Sequence, residues 1–257
     1  MTNRLAAFDL EIATELPDDD GDWWRHGPLG VSCAGLMREG VDADPVVMFD
    51  PEASPHLFDQ TTKRMTREGA TMLVEALWDA VRDGFTIVTW NGLSFDFRLL
   101  ALETGLVSRC SELAWHSIDM MFQVVCVNGH MLALDRALAG MGLQSKIHAV
   151  RMSDGREAPI AGREAPRLWQ AGEYRAVMEY CAGDVRQTLA LARDCDQRRR
   201  LTWTSQRGKP ARLNLTNGWL TVQQCLMIPE PDTSWMREPV TRKRFTSWLD
   251  MPPSEPA

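Results

Sequence analysis

The chain has no Cys-x-x-Cys pair, and its six cysteines (Cys33, Cys110, Cys126, Cys181, Cys195, Cys225) are scattered along 257 residues. That spacing excludes a cysteine-held zinc site and a dense disulfide framework, so they read as reduced thiols. No run of about 18 apolar residues occurs. The nearest approach, Met120–Val127, is far too short to span a bilayer, and no membrane partner is expected. The opening Met1-Thr-Asn-Arg-Leu leads straight into a strand-like segment without a secretory pattern, which predicts a cytoplasmic protein. Histidine is scarce, five in all, and neither His116 nor the others have the spacing of a zinc site or a nucleophile–base pair. Tyrosine is scarcer, with Tyr174 and Tyr180 alone. What is plentiful is ordinary: 44% hydrophobic and 25% charged residues describe a folded globular chain, not a disordered one.

The formal charge of −7 argues at first against a polyanionic partner. Its distribution is uneven. Residues 198–257 carry ten Lys and Arg against five Asp and Glu, a net of +5, and residues 1–197 carry a net of −12. An acidic body with a basic tail fits a carboxylate metal site beside a separate contact for nucleic acid. A solvated surface with an uneven ending fits the same numbers.

Arg4–Ile12 has the period of a strand, with Phe8, Leu10 and Ile12 on one face and Ala7, Asp9 and Glu11 on the other. Asp18–Gly30 reads as a loop, followed by strands at Gly30–Leu36 and Pro45–Phe49 around a turn at Glu39-Gly40. Ala70, Leu73, Leu77, Ala80 and Val81 predict a helix over Thr66–Asp83, ended by Gly84. Phe85–Trp90 reads as a buried strand, Asn91-Gly92 as a turn, and Ser94 or its neighbour as the cap of a helix through Glu103. Helical patterning resumes at Asp119–Val127 and Met131–Met141. Met152–Gly162 reads as a mobile loop, and Glu173–Arg198 as a long last helix. Beyond it the composition changes: Trp203, Trp219, Trp235 and Trp248 lie among seven basic residues, a mixture suited to stacking bases and meeting phosphates, or to packing the segment onto the body. Met251–Ala257 reads as a frayed end. The order of elements predicts an α/β fold with a mixed sheet flanked by helices over residues 1–200, and a basic, Trp-containing C-terminal extension over 201–257.

Three short motifs carry chemistry. Asp9 and Glu11 can grip one hard cation from a single strand face, although Asp-x-Glu is common in a chain with 35 acids and also reads as a solvated face. Asp96, in Trp90-Asn-Gly-Leu-Ser-Phe-Asp96, stands at a strand-to-helix junction, where α/β folds present ligands and where an acid also complements a helix dipole. Tyr180 and Asp184 are one helical turn apart, and Gly183 between them asks for a close approach. Asp119 reads as a helix cap or a residue behind the ligands, and Lys146 as a solvated lysine within reach of a phosphate.

In this order, and on these elements, the motifs resemble those of the DEDD superfamily of 3′–5′ exonucleases, which have a ribonuclease H-like fold. The likeness is to the branch with Tyr four residues before the last Asp; the histidine branch needs His where this chain has Glu179. It runs from Arg4 to about Arg193 and takes in His116-Ser-Ile-Asp119-Met-Met. Trp169-Gln-Ala-Gly172 leading into Glu179-Tyr180-Cys181 most resembles the exonuclease domain of family-B DNA polymerases. The resemblance implies two divalent cations, Mg²⁺ or Mn²⁺, which suit oxygen-only ligands. Asp9 would bridge them, Glu11 and Asp184 would complete the nucleophile-side ion, and Asp96 would hold the other. Tyr180 would orient the attacking water, being a poor base at neutral pH. Leu10 and Phe95 would stack on or wedge the terminal nucleotide unless they serve the core, and Asn91 would hydrogen-bond the strand near Asp96.

The function this implies is a stand-alone exonuclease that releases nucleoside 5′-monophosphates from DNA. An exoribonuclease, a silent nucleic-acid-binding or partner-binding module and an endonuclease on the same fold are the alternatives, with the C-terminal extension a candidate contact for a protein partner. Four mutually repelling acids argue against the silent module.

Overall fold

The computed structural model describes residues 4–17 and 23–249; Asp18–Asp22, within the expected loop, and the ending Met251–Ala257 lie outside the described residues. The elements run β1 (Arg4–Ile12), β2 (Val31–Arg38), β3 (Val46–Met48), α1 (Arg67–Arg82), β4 (Phe85–Thr89), α2 (Asp96–Thr104), α3 (Val107–His116), β5 (Ile118–Asp119), α4 (Met120–Asn128) and α5 (Leu134–Met141). They continue with β6 (Ala149–Arg151), β7 (Glu157–Pro159), α6 (Ala165–Gln170), α7 (Tyr174–Arg198), β8 (Arg200–Thr204), β9 (Pro210–Asn214), α8 (Val222–Cys225) and α9 (Lys243–Thr246).

One five-stranded mixed sheet has the order β3-β2-β1-β4-β5, with β1–β2 and β2–β3 antiparallel and β4 and β5 parallel to β1. This is the α/β arrangement, a mixed sheet flanked by helices, expected from the element order. The period of two in β1 divides it between two cores: Phe8, Leu10 and Ile12 pack with α1 and α2, and Leu5 and Ala7 with α5 and α7. α1 forms where its apolar residues keep helical spacing, and the Thr66 hydroxyl accepts the Gly69 amide at its start. All six cysteines are buried free thiols. Among the described residues no helix is long and apolar enough to cross a membrane.

α7 crosses β1 and β2, and Gly35 is what lets it come close. A Cβ there would lie 2.9 Å from Val185 Cγ2 on α7. Gly35 is paired with Asp9 across the ladder, so the same approach brings α7 over the carboxylates of β1.

Three local expectations are corrected. Of Ser94 and its neighbour, it is the neighbour Phe95 that holds the N-cap position of α2, without a side-chain cap, and the Ser94 hydroxyl donates instead to Asn91 Oδ1. Met152–Gly162 is not a free loop, because Glu157–Pro159 pairs with Ala149–Arg151 across a Ser153–Arg156 turn. A helix unexpected from the sequence, α3, fills Val107–His116; Gly105 ends α2 in the left-handed region, and α3 folds back on it.

The chain beyond Arg200 closes both cores. Leu201, Trp203, Leu213 and Trp219 complete one, and Val222, Phe245 and Trp248 the other. Three of the four tryptophans expected to face nucleic acid or the body are therefore buried against the body, and only Trp235, 66% exposed, stands in solvent.

Candidate metal centre

β4 pairs with β1 only as far as Ala7 and Val88, so Asp9 and Glu11 stand past the last paired residue, where a cleft opens at the carboxyl end of the strands. The chain leaving β4 turns through Asn91 in the left-handed region (φ 76°), which Asn tolerates better than most residues. Buried Asp119 holds this turn. Its carboxylate accepts the Asn91 and Leu93 amides at 3.1 and 2.9 Å and caps α4 through the Phe122 amide at 3.0 Å. Trp248 grips the same turn from the far end of the chain, its indole N–H donating to the Leu93 carbonyl at 2.6 Å. The turn delivers Asp96, whose Oδ1 accepts the Leu10 amide at 3.1 Å.

α7 brings Tyr180 and Asp184 to the same cleft, one turn apart on one face. Gly183 lets Ile147 pack closely there: a Cβ would lie 2.6 Å from Ile147 Cδ1 and would force that side chain to shift. One carboxylate oxygen each from Asp9, Glu11 and Asp184 lie within 4.8 Å of one another. Asp96 shares the cleft but stands outside that group of three.

Lys146 is not the solvated side chain expected. Its ammonium lies 2.6 Å from Asp184 Oδ2 and donates to the Tyr180 hydroxyl at 2.9 Å. The segment is tied down on both sides: the Lys146 amide donates to Asp135 on α5, and Gln187 on α7 donates to the Ser145 carbonyl. The sequence held one signal for it, since the chain has only four lysines against 24 arginines. A compact ammonium fits a crowded carboxylate site that a planar guanidinium would not.

Burial dominates the electrostatics. It raises the carboxyl of Asp9 well above the ordinary range, and the charges of Asp96, Asp184 and Glu11 add to it. Glu11 rises for the same reason, and the like charge of Asp184 adds most to it after burial. Asp96 is pushed up to about 7 by burial against the pull of the Leu10 amide, and Asp119 to about 6. Asp184 also rises through burial, although Lys146 and the Tyr180 hydroxyl hold it back. Burial would lower the Lys146 ammonium, but Asp184, Asp9 and Glu11 outweigh it and keep it charged. Burial and the same acids raise the Tyr180 hydroxyl, so it stays protonated. Half-buried Lys146 thus shares the cleft with four acids and the exposed Arg136, and Asp184 Oδ1 is buried with no hydrogen-bond partner among the described residues.

The cleft encloses about 650 Å³. Buried Leu10 and half-buried Asn91 are among the residues that line it, and Phe95 lies half-buried against Trp23 and Trp24. His116 is exposed and elsewhere.

No protein-family model and no curated protein matches the chain. Among solved structures it is similar to exonuclease I from Methylocaldum szegediense, with 18% identity over 77% of this chain and 41% of that one, at a TM-score of 0.37. It is similar to a product-bound exonuclease I, with 15% identity over 77% and 44% of the two chains (TM-score 0.37). It is also similar to E. coli exonuclease I in complex with a dT13 oligonucleotide, with 15% identity over 77% and 42% (TM-score 0.38). The chain spans less than half the length of these proteins.

Proposed function

We propose that the chain is a metal-dependent 3′–5′ exonuclease that hydrolyses terminal phosphodiester bonds of DNA and releases nucleoside 5′-monophosphates. We read it as a member of the tyrosine branch of the DEDD superfamily, closest in its Trp169–Tyr180 segment to the exonuclease domain of family-B DNA polymerases. The observation that carries the reading is the convergence of Asp9, Glu11 and Asp184 on one point, with Asp184 Oδ1 buried and unpartnered among the described residues. An all-oxygen donor set with excess negative charge fits Mg²⁺ or Mn²⁺ and not zinc.

In this reading Asp9, Glu11 and Asp184 would hold one cation, and Asp96 with Asp9 would hold a second. Two such ions would supply charge neutralisation and a water acidic enough to attack phosphorus in line. The protein does the positioning. Tyr180, protonated through neutral pH, orients the attacking water and takes no proton from it. Lys146 fixes Tyr180 and Asp184 in register and offers positive charge to the scissile phosphate. Leu10, Asn91 and Phe95 form the surface on which the terminal nucleotide rests.

The test is a 5′-labelled oligonucleotide, as single-stranded DNA and as RNA of the same sequence, incubated with Mg²⁺, Mn²⁺ or EDTA beside Asp9→Ala. A descending ladder that requires metal and Asp9, faster on DNA, is the expected result. A faster RNA ladder would reassign the substrate. No ladder on either, or cleavage of a circular single strand, would refute the exonuclease reading.

A further inference from the structure

The carboxylate cleft does not end at the acids. A second hollow of about 600 Å³ continues from it, sharing Trp23, Asn91, Phe95 and Met131 as lining. Its character is opposite. Trp23 meets Phe95 edge to face at 5.4 Å, Trp24 lies tilted against Phe95 at 5.4 Å, and the Arg98 guanidinium stacks over Trp24 at 4.0 Å. The far wall is Arg244 and Ser247 from the C-terminal segment.

That wall is firmly mounted. Phe245 and Trp248, 0% and 2% exposed, anchor either side of Ser247 in the core. The Arg242 guanidinium donates to the carbonyls of Leu226, Cys126 and Pro229 at 3.0–3.2 Å. Arg244 itself is exposed and has no carboxylate partner among the described residues. Anchored neighbours around an unpaired arginine direct its charge into the hollow.

We propose that this hollow is a subsite for the single-stranded segment just upstream of the scissile bond: a base rests against Trp23 and Phe95, and Arg244 meets a backbone phosphate. The inference rests on the nuclease reading of the carboxylate cluster and deepens it. The acids repel a polyanion, Lys146 and Arg136 are the cations that line their cleft, and attraction beyond the acids adds to the hold on a strand. Aromatic faces beside a cation, continuous with the acids, supply it without regard to base sequence. The occupant is therefore a single strand; a duplex does not offer unstacked bases to such faces.

The test uses the full chain and a 5′-labelled oligothymidylate, with binding followed by fluorescence anisotropy in Ca²⁺ over a range of salt and turnover measured in Mn²⁺. Arg244→Ala is expected to flatten the log–log salt dependence of binding by about 0.7, one single-strand phosphate contact, and Arg244→Lys to restore it. Trp23→Ala is expected to weaken binding roughly five- to 150-fold, with Trp23→Phe recovering most of it. In turnover both alanine variants should raise KM by more than they lower kcat, with melting temperatures at the wild-type value. Wild-type affinity and salt slope in both variants, while Asp9→Ala abolishes turnover, would overturn the subsite and leave the nuclease reading standing. Loss of kcat with KM unmoved would overturn it equally. A wild-type chain that neither binds nor degrades the strand would overturn the nuclease reading, and this subsite with it.

Discussion

Asp96 gives the sharpest test of the electrostatics. Its carboxyl titrates at about 7 in the folded protein against 3.8 for an unperturbed group, mainly because it is buried, 4% exposed. The folded state therefore holds this proton over about three pH units in which the unfolded chain has released it. Below pH 4 both states are protonated and nothing is lost. Between about 4 and 7 stability falls by up to 1.36 kcal/mol per pH unit, and above 7 the full loss of about 4 kcal/mol is in place. Asp96→Asn removes the proton equilibrium and keeps an oxygen for the Leu10 amide. In EDTA the variant and the wild type should melt together near pH 4 and separate steadily up to pH 8. There the variant should lead by at most roughly 8–16 °C, at about 2–4 °C per kcal/mol for a chain of this size. Adding Mn²⁺ at pH 8 should narrow the gap by raising the wild type more, by up to about 2.7 kcal/mol at a hundred times its dissociation constant. Scanning fluorimetry across that pH range reads all of this. Parallel pH profiles in EDTA would refute the reasoning, because Asp96 would then be titrating as an ordinary carboxylate.

Lys146→Met strands Asp184 without its counter-charge, and in EDTA at pH 8 it should lose about 3–5 kcal/mol by denaturant melts, much of it recovered by Mn²⁺. A loss unaffected by the cation would place the effect in packing. Gly35→Ala puts a Cβ 2.9 Å from Val185 Cγ2 and should destabilise by about 1–3 kcal/mol. Because α7 carries Tyr180 and Asp184, calorimetry should show weakened Mn²⁺ binding as well; unchanged affinity would mean that the helix yields without moving them. Truncation after Arg200 uncovers the faces of α5 and α7 on which β8 packs, and Phe122 on the other side. The product should be insoluble or lack fixed tertiary structure by near-ultraviolet circular dichroism, and a soluble, ordered truncation would contradict the packing described.

Much of the sheet is legible because its information is local. The alternation of Phe8, Leu10 and Ile12 with Ala7, Asp9 and Glu11 needs only a period of two, and the i, i+4 pair Tyr180 and Asp184 needs only one helical turn. Gly183 announces a close approach within its own helix, although not that Ile147 makes it. α3 was hidden because it has no side-chain cap to mark its start, although Val107, Cys110 and Ala114 of its five apolar residues keep helical spacing. The β6–β7 hairpin was hidden because a Gly-, Pro- and charge-rich segment is compatible with both a loop and a short exposed ladder.

The parts of the site that escaped the sequence are those held over distance. Lys146 reaches Tyr180 across 34 residues and Trp248 reaches Leu93 across 155, and no motif spacing encodes either. The tail shows the same division. Its tryptophans and arginines have the composition of a strand-tracking groove, yet Trp203, Trp219 and Trp248 went to the cores, because a large indole gains more by burial than by standing in water. What composition could not reveal is that this burial itself has a use at the cleft. With Trp248 pinned under the Asn91–Phe95 turn, one short segment both fixes the approach to Asp96 and holds Arg244 over the hollow that continues from it. In the proposed reading the acidic centre holds a polyanion, which needs positive charge close by and rigidly mounted, and Arg244 at the far end of the chain has both properties.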